Sequence, residues 1–174
     1  CIEVLQQLPK ASIHCSIYSP PFCTMKGGAL YTYSSDPRDL SNAITNDEFF
    51  THYTFVVEEL ARVTLPGRMT CVQTMDVPSG NSGLDHLYDF SGDVIRLYER
   101  FGWQFVARHF IYKEPLRVRN RTMSKCLSHR MLTEDSTRTS IANADYLMMF
   151  RRKGENKVPV AHDTGMLSYA GEQQ

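Results

Sequence analysis

Four consecutive residues, Ser19-Pro20-Pro21-Phe22, combine types that can do chemistry together. Two prolines in a row stiffen the backbone and remove two N–H donors. Their carbonyls are left free to accept hydrogen bonds. Ser19 adds a side-chain oxygen and Phe22 a flat apolar face. Acceptors beside an aromatic ring suit a planar group that carries an exocyclic amine, its N–H bonds meeting the oxygens and its π-face meeting the ring. The alternative, taken from the tetrapeptide alone, is a proline-rich turn around a buried Phe22. The five cysteines (Cys1, Cys15, Cys23, Cys71, Cys126) form no C-x-x-C pair, and the six histidines show no metal spacing. Neither a zinc site nor a disulfide scaffold is expected from them.

The elements that must position this corner can be read from periodicity. Residues 1–8 place Ile2, Leu5 and Leu8 at helical spacing, and Pro9 ends the pattern. Residues 13–18 (IHCSIY) read as a buried strand that opens into the Pro-Pro corner. A site at a strand's carboxyl end is where ligands bind in open α/β sheets. Residues 19–45 are loop-like. A helix then starts at Thr45 or Asn46, with Phe49, Phe50, Tyr53, Val56, Val57, Leu60 and Ala61 on one face. Leu65-Pro66-Gly67-Arg68 stops it, and Met69 to Met75 is a second strand. Pro78 to Gly83 reads as a flexible turn. A second helix runs from about Gly92 to Arg100 with Val94, Ile95, Leu97 and Tyr98 inward. Trp103–Tyr112 and Asp145–Arg151 are the third and fourth strands, and Met148-Met149 belongs to the core. The order predicts an α/β layer fold, mostly parallel, with a hairpin-like end that contributes an antiparallel strand.

Composition bounds the rest. The chain has 174 residues, 42% of them apolar, and 19 basic side chains balance 19 acidic ones. That suits one domain with a real core. No apolar run approaches the ~18 residues that span a bilayer, so no membrane partner is expected. No basic-then-apolar leader is seen, and with the scattered cysteines this points to the cytoplasm. Charge is uneven along the chain. Residues 113–144 carry seven basic side chains against three acidic ones, a net +4 on a neutral protein.

Beyond these elements, the stretch CIEVLQQLPKASIHCSIYSPPF resembles the segment that leads into motif IV of DNA amino-methyltransferases, which reads Asp/Ser/Asn-Pro-Pro-Tyr/Phe. VEELARVTLPGRMTCV is similar to the family's following "RV-x-x-PGG" passage, and residues 93–153 resemble its next strands. The resemblance is to phage-type members with a permuted motif order. It implies a Rossmann-like S-adenosylmethionine-dependent methyltransferase fold acting on adenine N6 or cytosine N4 in double-stranded DNA. Ser19 and the Pro20 carbonyl would accept from the amine, Pro21 would keep the loop rigid, and Phe22 would stack on the flipped base. Cys1 and Ile2 would lie beside the cofactor's adenine. Restriction-modification is the setting in which such enzymes act.

The chain departs from the pattern in two ways. The family's Phe-x-Gly-x-Gly cofactor motif is not among the glycines at 27–28, 80–83 and 92, and no acidic residue precedes Cys1. The expectation is therefore an incomplete domain: residues 1–174 as the catalytic-motif half, whose partner would be the remaining half, with 113–144 a basic, target-recognition-like segment. Alone, this chain is expected to bind cofactor poorly. Within the basic segment, Arg117, Arg119, Arg121 and Lys125 are the first candidates for DNA phosphates. A solvated charged loop is the alternative. Lys113, after a strand end, reads as an ordinary surface lysine with a place near the catalytic pocket as the alternative; Asp76 reads as a turn-starting residue with a place facing the cleft as the alternative; His14 reads as packed beside its strand. The loop 31–42 either covers the target base or only caps and pairs locally through Asp36, Arg38 and Asp39. Two other functions stay open: a non-catalytic DNA-binding fragment, and a methyltransferase acting on a protein glutamine amide.

Overall fold

The computed structural model describes residues 2–21, 34–79, 86–115, 117, 133, 135 and 144–160. Its backbone runs α1 (Ile2–Gln7), β1 (Ile13–Tyr18), a 3-10 turn (Leu40–Asn42), α2 (Asn46–Val63), β2 (Thr64–Thr74), β3 (Val77–Ser79), β4 (His86–Tyr88), α3 (Phe90–Arg100), β5 (Trp103–Tyr112) and β6 (Ala144–Arg152).

Four strands form one sheet in the order β1-β2-β6-β5, and β3 pairs with β4 in a separate two-stranded ribbon. β1 is parallel to β2, while β6 is antiparallel to both β2 and β5. Three strands therefore share one direction, and β6 runs the other way, wedged between β2 and β5. This is the α/β sheet expected, with its single antiparallel strand. The β3–β4 ribbon was not foreseen.

Local sequence explains each boundary. Thr45 caps α2, its side chain accepting from the Glu48 N–H, and Asp47 and Glu48 sit in the positive first turn. The expected face is buried: Phe49, Tyr53, Val56, Val57, Leu60 and Ala61, with Phe50 packed at its margin. α3 starts at Phe90, earlier than the pattern suggests, because the Asp89 carboxylate accepts from the Gly92 N–H and caps the helix there. Val94, Leu97 and Tyr98 are buried and Ile95 is partly so.

The Pro-Gly segment does not simply precede β2; it lies inside it. Between Ile13 and Cys15 on β1 the partner on β2 jumps from Thr64 to Met69, so residues 65–68 bulge out. Gly67 takes φ +75°, which a glycine adopts without strain. His14 falls at this register shift and is exposed, not packed beside its strand as expected.

One face of the sheet packs on α2 and α3. Val72, Met148, Phe150 and Trp103 meet Phe49, Tyr53, Phe90 and Tyr98 there, all essentially without solvent contact. Met148 is core as read, and Met149, on the other side of β6, is only partly buried. Among the described residues, no helix is long and apolar enough to cross a membrane.

Candidate active site

The Ser-Pro-Pro corner leaves the sheet at the carboxyl end of β1, immediately after Tyr18 pairs with Val72. Ser19 is exposed, Pro20 is buried and Pro21 is half-buried. The Ser19 hydroxyl donates to the Gln73 carbonyl of β2 at 3.2 Å, and more weakly to the Pro20 carbonyl at 3.4 Å. A hydroxyl has one proton and two lone pairs. With the proton turned to carbonyls, Oγ presents only lone pairs outward. An exposed serine has become an acceptor, as a carboxylate would be. Phe22 and Cys1 lie outside the described residues.

A polar chain runs from this corner across the sheet. Gln73, whose carbonyl receives the Ser19 proton, donates through Nε2 to Asp145 Oδ2 at 2.8 Å. Asp145, at the start of β6, is buried and forms an ion pair with Lys113 just past β5. Lys113 is thus not an ordinary surface lysine: its side chain is 21% exposed and faces a carboxylate. Asp76, past the end of β2, likewise does more than start a turn. Its Oδ2 accepts from the Tyr146 hydroxyl at 3.0 Å, and its Oδ1 is buried without a hydrogen-bond partner among the described residues. The Arg108 guanidinium lies over the Tyr146 ring, 5.1 Å from its centroid, and Phe110 meets the same ring edge-on. Sequence reading missed Gln73 and Asp145. The available signal was a glutamine inside the apolar run MTCVQTM and an acid opening a buried strand.

Beneath the corner, the Tyr18 hydroxyl meets that of Tyr53 from α2 at 2.6 Å and that of Tyr98 from α3. Burial pushes the Tyr18 phenol up to about 12, against the lowering effect of its two hydroxyl partners. Tyr53 and Tyr98 are raised well above the usual phenol value for the same reason first, loss of solvent.

Ile2 lines a cavity of about 560 Å³ between α1, the loop 34–43 and α2. Leu40, Phe55 and Val56 add apolar wall, and Glu3, Asp36, Asp39 and Glu48 surround it with Arg38 as the one arginine. The part of loop 31–42 that is described, from Ser34 on, pairs locally. Arg38 binds Asp36 and Glu3, each at 2.9 Å, and Asp39 caps the 3-10 turn through the Ser41 N–H. Hydrogen bonds from Arg38 hold the Asp36 carboxyl down at about 2.

The phosphate candidates are only partly visible. Arg117 is exposed, and its backbone N–H donates to Glu114 at 2.7 Å. Arg119, Arg121 and Lys125 lie outside the described residues.

No protein-family model and no curated protein matches the chain. Solved structures do. A protein of Thermus thermophilus, provisionally assigned as a DNA modification methylase and complexed with S-adenosyl-L-methionine, aligns with a TM-score of 0.63 at 17% identity, over 94% of this chain and 55% of that one. The PvuII DNA methyltransferase, cytosine-N4-specific, aligns with a TM-score of 0.59 at 15% identity, over 97% of this chain and 51% of that one. The chain therefore has the fold of these methylases and spans about half their length.

Proposed function

We propose that this chain carries the base-recognising part of a site-specific DNA methyltransferase, which moves a methyl group from S-adenosylmethionine to adenine N6 or cytosine N4 in double-stranded DNA. The bacterial or phage-infected cytoplasm is its setting. One observation carries the reading: Ser19 is exposed at the carboxyl end of β1, and the Gln73 carbonyl at 3.2 Å gives its hydroxyl proton an acceptor on the protein side, which leaves the oxygen's lone pairs for a substrate N–H. The shared fold supports it, and so does the basic composition of residues 113–144.

The chemistry follows from the acceptors. An aromatic amine is a weak nucleophile because its lone pair is delocalised into the ring. Ser19 Oγ and the Pro20 carbonyl, placed off the base plane, draw its N–H bonds toward them. That favours a pyramidal nitrogen and localises the pair. Phe22 stacks on the base that has left the helix, and Pro21 keeps the loop rigid. S-adenosylmethionine, when bound, supplies an electrophilic methyl on a positively charged sulfur. The residues of the corner would hold the amine nitrogen in line with that methyl, so that the carbon–nitrogen bond would form as the carbon–sulfur bond breaks, with a neutral thioether as leaving group and the surplus proton passing to solvent. The cavity at Ile2 fits the adenosyl group: Ile2, Leu40 and Val56 offer apolar wall, and the carboxylates suit hydroxyls and a cation. Arg117, Arg119, Arg121 and Lys125 contact phosphates.

The described sheet ends at β1, which has β2 as its one neighbour, and Ile17 on it is 72% exposed. In this reading the remaining half of the fold adds its strands there and supplies the rest of the cofactor site.

The test is methyl transfer onto duplex DNA by the full polypeptide with labelled S-adenosylmethionine. Label is expected on adenine N6 or cytosine N4, and is lost when Ser19→Ala and Phe22→Ala are combined. Label on a protein glutamine instead would replace this reading. Titration calorimetry that shows no heat with S-adenosylmethionine at high concentration would favour a non-catalytic DNA-binding fragment.

A further inference from the structure

The three tyrosines under the corner pose a physical question. Tyr53 and Tyr98 are 1% and 0% exposed, and each sits among rings: Tyr98 stacks on Phe150 with centroids 4.2 Å apart, and Tyr53 packs against Phe49 at 5.5 Å. Phenylalanine would fill the same space without placing a hydroxyl in the core. Buried hydroxyls are tolerated only when paired, and paired groups specify one arrangement more than they add net stability. Here they converge on Tyr18, the last residue of β1.

Tyr18 is the last residue of β1, paired with Val72 and packed against the core. β1 is an edge of the described sheet, and its ladder with β2 ends at the Tyr18–Val72 pair. The next residue is Ser19. The Tyr18 side chain points toward the helices, and the backbone it anchors runs directly into Ser19. Anchoring the Tyr18 hydroxyl to α2 and α3 restrains rotation of the strand end about its axis. That rotation is the motion that would swing Ser19 Oγ away from the Gln73 carbonyl.

We propose that Tyr18, held by Tyr53 and Tyr98, is a positioning residue that sets the Ser19 oxygen against the substrate amine. The proposal rests on the function given above. Its structural premise stands independently: the hydroxyl cluster orients the Ser-Pro-Pro corner.

The experiment compares the full polypeptide carrying Tyr18→Phe with the triple variant Tyr18→Phe, Tyr53→Phe, Tyr98→Phe. The single variant removes the hydroxyl at which the other two converge and leaves Tyr53 and Tyr98 only each other as buried partners, so both Tm and kcat fall. The triple variant leaves none of the hydroxyls, so Tm returns to near the wild-type value. Positioning is then read from what fails to return: kcat for DNA methylation stays down about tenfold or more, with KM for DNA little changed. If kcat recovers together with Tm, the hydroxyls serve packing alone and the proposal is overturned.

Hydrogen exchange at the Ser19 amide separates this outcome from failure of the functional reading. A wild-type protein that labels no DNA defeats that reading. The Ser19 amide then still decides the premise: about tenfold faster exchange in the triple variant upholds it, and unchanged exchange sinks it.

Discussion

At the scale of single residues, partners decide chemistry more than residue type does. Ser19 would be a donor or an acceptor in water. Against the Gln73 carbonyl it is an acceptor, and that makes serine workable where a carboxylate would also serve. Under the proposed function, Ser19→Asp keeps an acceptor but loses the bond to the Gln73 carbonyl, so it should retain part of the methyl transfer, whereas Ser19→Ala should lower kcat about 100-fold or more, as loss of a single polar group at a reacting centre does. The substituted position is exposed, so Tm should move little in either variant. Lys113 shows the same lesson in reverse. Its ion pair with Asp145 neutralises a carboxylate that is buried between strands. Replacing it with methionine leaves that charge without its partner. Lys113→Met should destabilise the fold by about 3 kcal/mol, measured as a drop in the urea midpoint at unchanged m-value. Asp145→Asn combined with Lys113→Met should recover part of that loss, since the uncompensated charge is then gone.

Among the elements, β2 carries the most constraint. It is flanked by β1 and β6, and it holds the bulge at residues 65–68 that sets the register of β1. Register fixes where Ser19 falls relative to Gln73. Gly67 is the residue that makes the bulge possible, with φ +75° and an added Cβ that would sit 2.6 Å from Asn156 Cβ. Gly67→Ala should cost about 1–2 kcal/mol from the left-handed backbone alone. The close approach to Asn156 adds to it. Thermal unfolding checks this, and amide exchange in β1 should rise along with it. The helices contribute differently. α2 is anchored by a side-chain cap at Thr45 and by its buried aromatic face, so its position depends on packing against β2, β6 and α3.

Taken as a whole molecule, the chain is a sheet covered by α2 and α3 on one face, with the tyrosine cluster joining both helices to β1. That cluster makes stability depend on alkaline pH in a definite direction. Tyrosine in an unfolded chain ionises near ~10, and in the fold Tyr18 is held up to about 12 by burial. A raised phenol pKa favours the neutral, folded form. Its contribution is complete below ~10 and is lost as pH rises toward about 12. Urea midpoints should therefore fall steeply above pH ~10 in the wild type. They should fall less steeply in the triple phenylalanine variant, which has no such hydroxyls to ionise. If the proposed remaining half adds its strands at β1, an edge of the described sheet, then supplying that half in trans should protect the β1 amides from exchange.

Much of this was legible from order along the chain. Periodicity placed α2, α3 and the four long strands because each element's buried face is encoded within a few turns of its own sequence. The Ser-Pro-Pro corner was legible because proline acts on its own backbone. Less local features were not. That β6 inserts between β2 and β5, that Lys113 meets Asp145, and that Tyr18, Tyr53 and Tyr98 share their hydroxyls all join residues more than thirty positions apart. The bulge in β2 depended on a register choice made only on packing, whereas the start of α3 rests on the local Asp89 cap that the periodic pattern passes over. Backbone preference and hydrophobic pattern are short-range properties, so the sequence by itself determined the elements and the chemistry carried at one turn. Partner choice is settled by burying surface and satisfying polar groups across the whole fold, so only the tertiary structure decided which carbonyl accepts from Ser19 and what stands behind it.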